Sequence, residues 1–191
     1  MLILGPAEKA AKRRESIHLK PRSKGCHLSD IYEALDVLVN PQANRVDEDK
    51  LKVYGSMGFL FEHMMANALT EALVDGVRYE RPGEFNVDGI AMSPDIIDKK
   101  EWSIWDTKVT WKSSNKLENV EKWFWKWLVQ GKGYCHAANT DHHRVIAYFI
   151  NGDYRGSGPI IRSMDLWYTT RELKENWDMC VKFGRSKGWI K

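Results

Sequence analysis

Residues 101–111 restrict the fold of this chain more than any other stretch. They read Glu-Trp-Ser-Ile-Trp-Asp-Thr-Lys-Val-Thr-Trp, dense in β-branched and aromatic residues with no glycine or proline. Such a run fits a pleated, half-buried strand. Yet Asp106 and Lys108 stand at its centre, and charge inside a central strand needs a partner to offset its burial. Residues 86–98, rich in Val, Ile and Met, read as a preceding strand, with Lys99-Lys100 as the turn. Around this hairpin the periodicity predicts a helix over 28–38, capped by Ser29 or Asp30, with Ile31, Leu35 and Leu38 on one face. A loop at 40–44 leads to a helix over 56–74, striped with Phe59, Leu60, Met64, Ala68 and Leu69 and stopped by Asp75-Gly76. An aromatic-rich helix over 117–138 follows, then a buried strand over 144–150, a turn at Asn151-Gly152 and an extended stretch over 159–169. A helix beginning at Thr170 or Arg171 runs to about residue 183. This order predicts a mixed α/β fold, a small central mixed β-sheet flanked by helices on both sides.

The 191 residues suit one core and leave little room for a second domain. No apolar run approaches the ~18 residues of a membrane span, and Met1-Leu2-Ile3-Leu4 stops at Gly5-Pro6, too short for a signal-peptide core. Cys26, Cys135 and Cys180 are few, odd in number and far apart. That fits a reducing cytoplasm and argues against disulfides, a zinc site or an iron–sulfur cluster. Charge is uneven. Residues 1–24 hold seven basic groups against Glu8 and Glu15, while the remainder holds 22 basic against 24 acidic groups. The expected organisation is a basic N-terminal arm over 1–24 and one domain over 25–191. Such an arm suits an anionic partner such as a phosphate backbone, and a solvated tail is the plain alternative.

Asp95, Asp106 and Lys108 carry the chemistry suggested by the hairpin. Cleaving a phosphodiester calls for a divalent metal to offset phosphate charge and acidify the attacking water. Magnesium takes hard oxygen ligands, so carboxylates must converge, and a nearby lysine can orient the water or stabilise the pentavalent state. A turn centred on Lys99-Lys100 pairs Ile104 with Asp95 and Asp106 with Ser93. Side chains alternate along a strand, so Asp95, Asp106 and Lys108 share a face unless a bulge intervenes. Asp88 would pair with Trp111 on the opposite face, about 17 Å along the strand from Ser93. Asp95 is therefore preferred over Asp88 as the acid.

Pro94-Asp95, ten intervening residues and Asp106-Thr107-Lys108 together resemble the PD-(D/E)XK nuclease signature. Gly58-Phe59-Leu60-Phe61-Glu62 resembles the motif-one glutamate of that superfamily. Gln130-Gly131-Lys132-Gly133-Tyr134 resembles the Gln-x-x-x-Tyr motif of its RecB-like branch, which includes phage recombination exonucleases and CRISPR-adaptation nucleases. The resemblance covers residues 58–134 and implies a restriction-endonuclease-like core. It implies that Glu62, Asp95, Asp106 and the Thr107 carbonyl ligate Mg²⁺ or Mn²⁺, that Lys108 holds the nucleophilic water, and that Gln130 and Tyr134 position the phosphate or the lysine. On a helix Gln130 and Tyr134 share a face, about 40° and 6 Å apart. The middle acid is Asp106, where glutamate is common in the family. No cysteine cluster of the iron–sulfur members is present, so no such cluster is expected.

The implied function is hydrolysis of DNA, with an exonuclease acting from ends favoured. A structure-specific endonuclease on the same fold and a non-catalytic DNA-binding module are the alternatives. A homo-oligomer and a recombination or replication partner are open, with a location in the cytoplasm (of the host cell, if phage-encoded). His142-His143, after Asn139-Thr140-Asp141, reads as an exposed loop. Trp123, Trp125 and Trp127 could stack on unpaired bases, but filling the groove between helix and sheet suits them better.

Overall fold

The run at 101–111 does become a central strand, and a computed structural model shows what is assembled on it. The structure describes residues 23–41, 48–72, 78–156 and 158–191. Residues 1–22 of the expected arm lie outside the described residues, as do 42–44 of the expected loop, Val74 and the helix stop at Asp75-Gly76. In chain order the strands are β1 Cys26–His27, β2 Tyr79–Glu80, β3 Phe85–Val87, β4 Ile90–Met92, β5 Ile96–Asp98, β6 Ser103–Thr110, β7 His142–Phe149 and β8 Ile160–Trp167. The helices are α1 Leu28–Val39, α2 Glu48–Ala72, α3 Val120–Trp123, α4 Trp125–Ala138 and α5 Thr170–Ser186. Five strands form one sheet in the order β2-β5-β6-β7-β8, and three form a small one, β1-β4-β3. In the larger sheet β6 and β7 run parallel and the other pairs antiparallel. The mixed α/β expectation holds.

The hairpin differs from its prediction in two ways. The strand expected over 86–98 is three short ones. Asp88 and Gly89 both take positive φ, 51° and 81°, and close a two-residue hairpin in which Val87 pairs Ile90. Asp-Gly suits that turn because its twist matches the flanking strands. Ser93-Pro94 then separates β4 from β5, since proline cannot donate to a ladder. The second difference is register: Ile96 pairs Trp105 and Asp98 pairs Ser103, so the turn is Lys99–Trp102. Relative to the predicted pairing β6 has moved by two residues, which preserves side-chain parity. Extended by one residue, this register sets Asp95 opposite Asp106.

Helices cover both faces. Ile104 lies in the core beneath α1, α4 and α5 with Leu28, Ile31, Cys135, Trp177 and Cys180. Trp105 and Val109, on the other face of β6, pack with Phe61 and Met65 of α2 and with Ile96, Ile146 and Tyr148. The predicted stripe of α2 is not the buried one: Leu60 is 67% and Met64 53% exposed, whereas Phe61 is 5% exposed and stacks on Tyr148. Residues 59–65 are apolar on several sides, so periodicity alone does not select a face. The helix also starts eight residues earlier than expected, at Glu48.

The helix predicted over 117–138 is broken into a 3-10 segment, Ser114–Asn119, then α3 and α4. Phe124 leaves the helical conformation at φ −134°, ψ 27°, because its ring is drawn into a cluster with Val145, Ala147 and Phe149. Trp123 and Trp127 pack against that cluster, so they fill the helix–sheet groove. The loop expected at His142-His143 is instead the start of β7, with both residues buried. The turn is completed earlier, at Asn139 in the left-handed region with φ 53°.

Candidate active site

Parity along β6 sends Asp106 and Lys108 toward α4 and Thr107 toward the other side. Beyond Trp105, β6 has no β5 partner, and Asp95 fills the start of that open edge. Its Oδ2 accepts from the Thr107 backbone N–H and from Thr107 Oγ1, each at 2.7 Å. A strand residue's N–H and C=O point to the same side, so the Thr107 carbonyl faces the same edge.

Lys108 is held from two directions. Its Nζ donates to Asp106 Oδ1 at 2.6 Å and to Gln130 Oε1 at 2.8 Å, and Gln130 Nε2 donates to Tyr134 Oη at 2.6 Å. The expected helix-face pair therefore forms, and it ends on the lysine. Asp106 is 1% and Tyr134 5% exposed, so this polar chain runs through the interior, where hydrogen bonds to charge are strong.

The two aspartates titrate in opposite directions. Burial, then the neighbouring Asp106 charge, pushes Asp95 up to about 7. Burial alone would raise Asp106 too, but Lys108 and His143 outweigh it and hold Asp106 below the usual carboxylate value. Burial would neutralise Lys108, yet Asp106 and Asp95 keep it charged. Tyr134 is pushed well above its ordinary range by burial and then by Asp106 and Asp95, so it is a neutral phenol.

Glu62 stands apart. It is half-buried on α2 and pairs with Arg81 at 2.8 Å. Burial raises its carboxyl, Arg81 opposes that, and Asp106 raises it again, so it feels the site without joining it. Asp88 lies at the β3–β4 turn and accepts from Trp177 Nε1 at 2.7 Å. Three residues near the site or its strand were missed in the sequence: Arg81 beside Glu62, and His143 with Tyr168 behind Asp106. Arg81 carries no sequence signal, but the alternation His143-Val145-Ala147-Phe149 could have placed His143 on the Asp106 face.

Hard divalent cations fit this site in charge and donor type. Two carboxylates that raise one another's proton affinity are relieved by a dication, and the available donors are oxygens. Convergence is incomplete: among the described residues no three His, Cys, Asp or Glu side chains are grouped to hold a metal. Asp95, Asp106, Lys108, Gln130 and Tyr134 are assembled, and Glu62 is the one not drawn in.

No protein-family model matches this chain, and no curated protein does. Solved structures do match. The chain is similar to a phage-related exonuclease from Haemophilus somnus 129PT, with TM-score 0.53 and 15% identity over 83% of this chain and 79% of that one. It is also similar to an alkaline exonuclease from Laribacter hongkongensis, with TM-score 0.52 and 10% identity over 83% of this chain and 84% of that one. At such identities the likeness is one of fold, and it agrees with the restriction-endonuclease-like core read from the motifs.

Proposed function

We propose that this chain is a metal-dependent deoxyribonuclease that hydrolyses phosphodiester bonds from DNA ends. The observation that carries the reading is the buried chain Asp106–Lys108–Gln130–Tyr134 beside a second acid, Asp95. Its fold neighbours, both named exonucleases, support the choice of exonuclease. Asp95, Asp106 and the Thr107 carbonyl are the groups that would hold Mg²⁺ or Mn²⁺, and Glu62 would add to them from α2 by exchanging Arg81 for the ion. When bound, the ion supplies charge neutralisation at the phosphate and a more acidic water.

The remaining work falls to the protein's own groups. An ammonium has three donors; two of those on Lys108 go to Asp106 and Gln130. The third can hold the attacking water or a phosphate oxygen in fixed direction, where a preorganised charge stabilises the transition state most. Gln130 fixes Lys108, and Tyr134 fixes Gln130, so both act by positioning. DNA is the partner, and the basic residues of 1–24 would add phosphate contacts. No described helix is long and apolar enough to cross a membrane. Cytoplasmic location, self-association and a recombination or replication partner belong to the same reading.

Turnover should require Mg²⁺ or Mn²⁺, while the larger Ca²⁺ binds without aligning the water. The test is cleavage of linear and covalently closed circular duplex DNA with each ion and with excess chelator. Degradation of linear DNA alone, lost in chelator, is expected. Cutting of the closed circle would favour a structure-specific endonuclease, and binding without cleavage would favour a DNA-binding module. Full cleavage in chelator would remove the metal mechanism.

A further inference from the structure

His143 is fully buried on β7, the strand parallel to β6. Asp106 pairs with Val145, so His143, two residues before Val145, projects from the same face. Among the described residues, the buried side-chain polar atoms that lack a hydrogen-bond partner are Asp106 Oδ2 and His143 Nε2. They face each other at 3.8 Å. Lys108 Nζ lies 2.6 Å from the same Asp106 oxygen, so the group left unmade is His143 Nε2; buried polar groups are rarely left so, and its facing a carboxylate oxygen amounts to a contact not fully closed. We propose that His143 is a positioning residue of the site, donating from Nε2 to Asp106 Oδ2 and setting the direction in which that carboxylate faces its ligand. The inference rests on the nuclease reading for its consequence, but not for its geometry.

The direction of the contact follows from the two groups that the ring faces. His143 Nδ1 lies 3.1 Å from Tyr168 Oη. Burial pushes the Tyr168 phenol far above its ordinary range, so it keeps its proton and can donate it to Nδ1, while the carboxylate on the ring's other side only accepts, which assigns the imidazole hydrogen to Nε2. A neutral imidazole that accepts at one nitrogen carries its hydrogen on the other. That hydrogen points from Nε2 at Asp106 Oδ2, and closing the gap by about 0.8 Å gives an ordinary bond. A carboxylate has about four lone-pair sites. His143 would take one on Oδ2, and Lys108, 2.6 Å from both oxygens, takes the side it faces, which leaves the outward ones for a cation, as ligating carboxylates are commonly held from behind.

A second observation comes from α4. Gly131 follows Gln130, and a Cβ there would meet His143 Nδ1 at 2.1 Å and Cε1 at 2.2 Å. Glycine inside a helix is unfavourable relative to alanine; here it lets the helix that carries Gln130 and Tyr134 lie against the imidazole. A side chain at 131 would push apart the two elements that hold Asp106 and Lys108.

A histidine that only fills space would tolerate either tautomer and would have no effect on Asp106. Long-range ¹H–¹⁵N NMR on the metal-free protein separates the two. The Nε2–H tautomer is expected, with an Nε2–H proton that shifts upfield in Asp106→Asn. An Nδ1–H tautomer, or a proton indifferent to Asp106→Asn, would overturn the proposal whether or not the protein cuts DNA. Mn²⁺ titration and steady-state kinetics then test the consequence. His143→Leu should lose about 10–100-fold in Mn²⁺ affinity or kcat, with KM for DNA little changed. His143→Gln, which keeps a donor, should recover much of that loss at a similar Tm. Should His143→Leu fail to fold, Tyr168→Phe keeps the ring and removes the donor to Nδ1; a several-fold fall in kcat is expected, and wild-type kcat would contradict the assigned direction. Wild-type Mn²⁺ affinity and kcat in a folded His143→Leu would also overturn it. A wild-type protein that neither binds Mn²⁺ nor cuts DNA would instead overturn the nuclease reading and leave the NMR test of His143 in force.

Discussion

Asp98 and Asp106 are buried aspartates on one hairpin, 0% and 1% exposed, and the chain treats them differently. Asp98 is saturated: Arg78 donates to it from Nε and Nη2, and the backbone N–H groups of Lys100 and Glu101 add two more bonds. Burial would raise its carboxyl, and these donors together hold it below the ordinary value. Asp106 has a single hydrogen-bond donor, the Lys108 ammonium, which lies 2.6 Å from both oxygens, and a second carboxylate, Asp95, close enough to be pushed up to about 7 after burial has acted. A carboxylate that serves the fold has its acceptors filled. On the proposed reading, one kept for a ligand has fewer donors, at a cost to stability.

The largest effect that would break this comparison is at Lys108. Lys108→Ala should lower single-turnover DNA cleavage by at least about 10²-fold while far-ultraviolet circular dichroism and much of the DNA affinity persist. Wild-type turnover would return Lys108 to a structural role. Stability comes next, with opposite signs at the two ends of the hairpin. Asp98→Ala leaves Arg78 with Glu101 alone and the Lys100 and Glu101 backbone N–H groups without their acceptor, and should lower the urea midpoint. Asp95→Asn should stabilise the metal-free protein at pH 8, by an amount on the order of 1 kcal/mol, while abolishing cleavage. The sign follows from the Asp95 carboxyl being higher in the folded state than in the unfolded one. The stability linked to its proton is present at low pH and fades as pH rises from about 4 to about 7. The pH dependence of wild type over that window should flatten in Asp95→Asn; destabilisation by this substitution at pH 8 would contradict the account. The smallest effect leaves both aspartates intact. Deleting residues 1–24, which hold seven basic groups, should weaken DNA binding and flatten its salt dependence by about 0.9 per lost phosphate contact, with kcat unaltered. An unchanged slope would make the arm a solvated tail.

Much of this site was legible because it depends on parity rather than on position. The predicted hairpin register was displaced by two residues, yet Asp106 and Lys108 still share a face and Asp95 still meets their strand. The i, i+4 spacing of Gln130 and Tyr134 carried through to a direct bond. What stayed hidden depends on tertiary competition. The Asp88-Gly89 turn was present as a local signal, but the apolar residues on either side of it suggested one long strand. The break at Phe124 comes from a pocket supplied by β7, which no window of the helix contains. The buried face of α2 was undecidable while Phe59, Leu60, Phe61, Met64 and Met65 offered apolar surface in several directions. His143 was hidden by the polar residues before it, although a histidine in alternation with Val145 and Ala147 is a strand signal.

The contrast between a saturated and an unsaturated acid is tested most directly by Mn²⁺ binding to the metal-free protein, measured by calorimetry on wild type, Asp106→Asn, Asp95→Asn and Asp88→Asn. Asp88, at the β3–β4 turn of the smaller sheet, accepts from Trp177 of α5. The account predicts that wild type and Asp88→Asn bind Mn²⁺ alike, and that Asp106→Asn and Asp95→Asn lose most of that affinity. Undiminished binding by Asp106→Asn, or its loss in a folded Asp88→Asn, would contradict it.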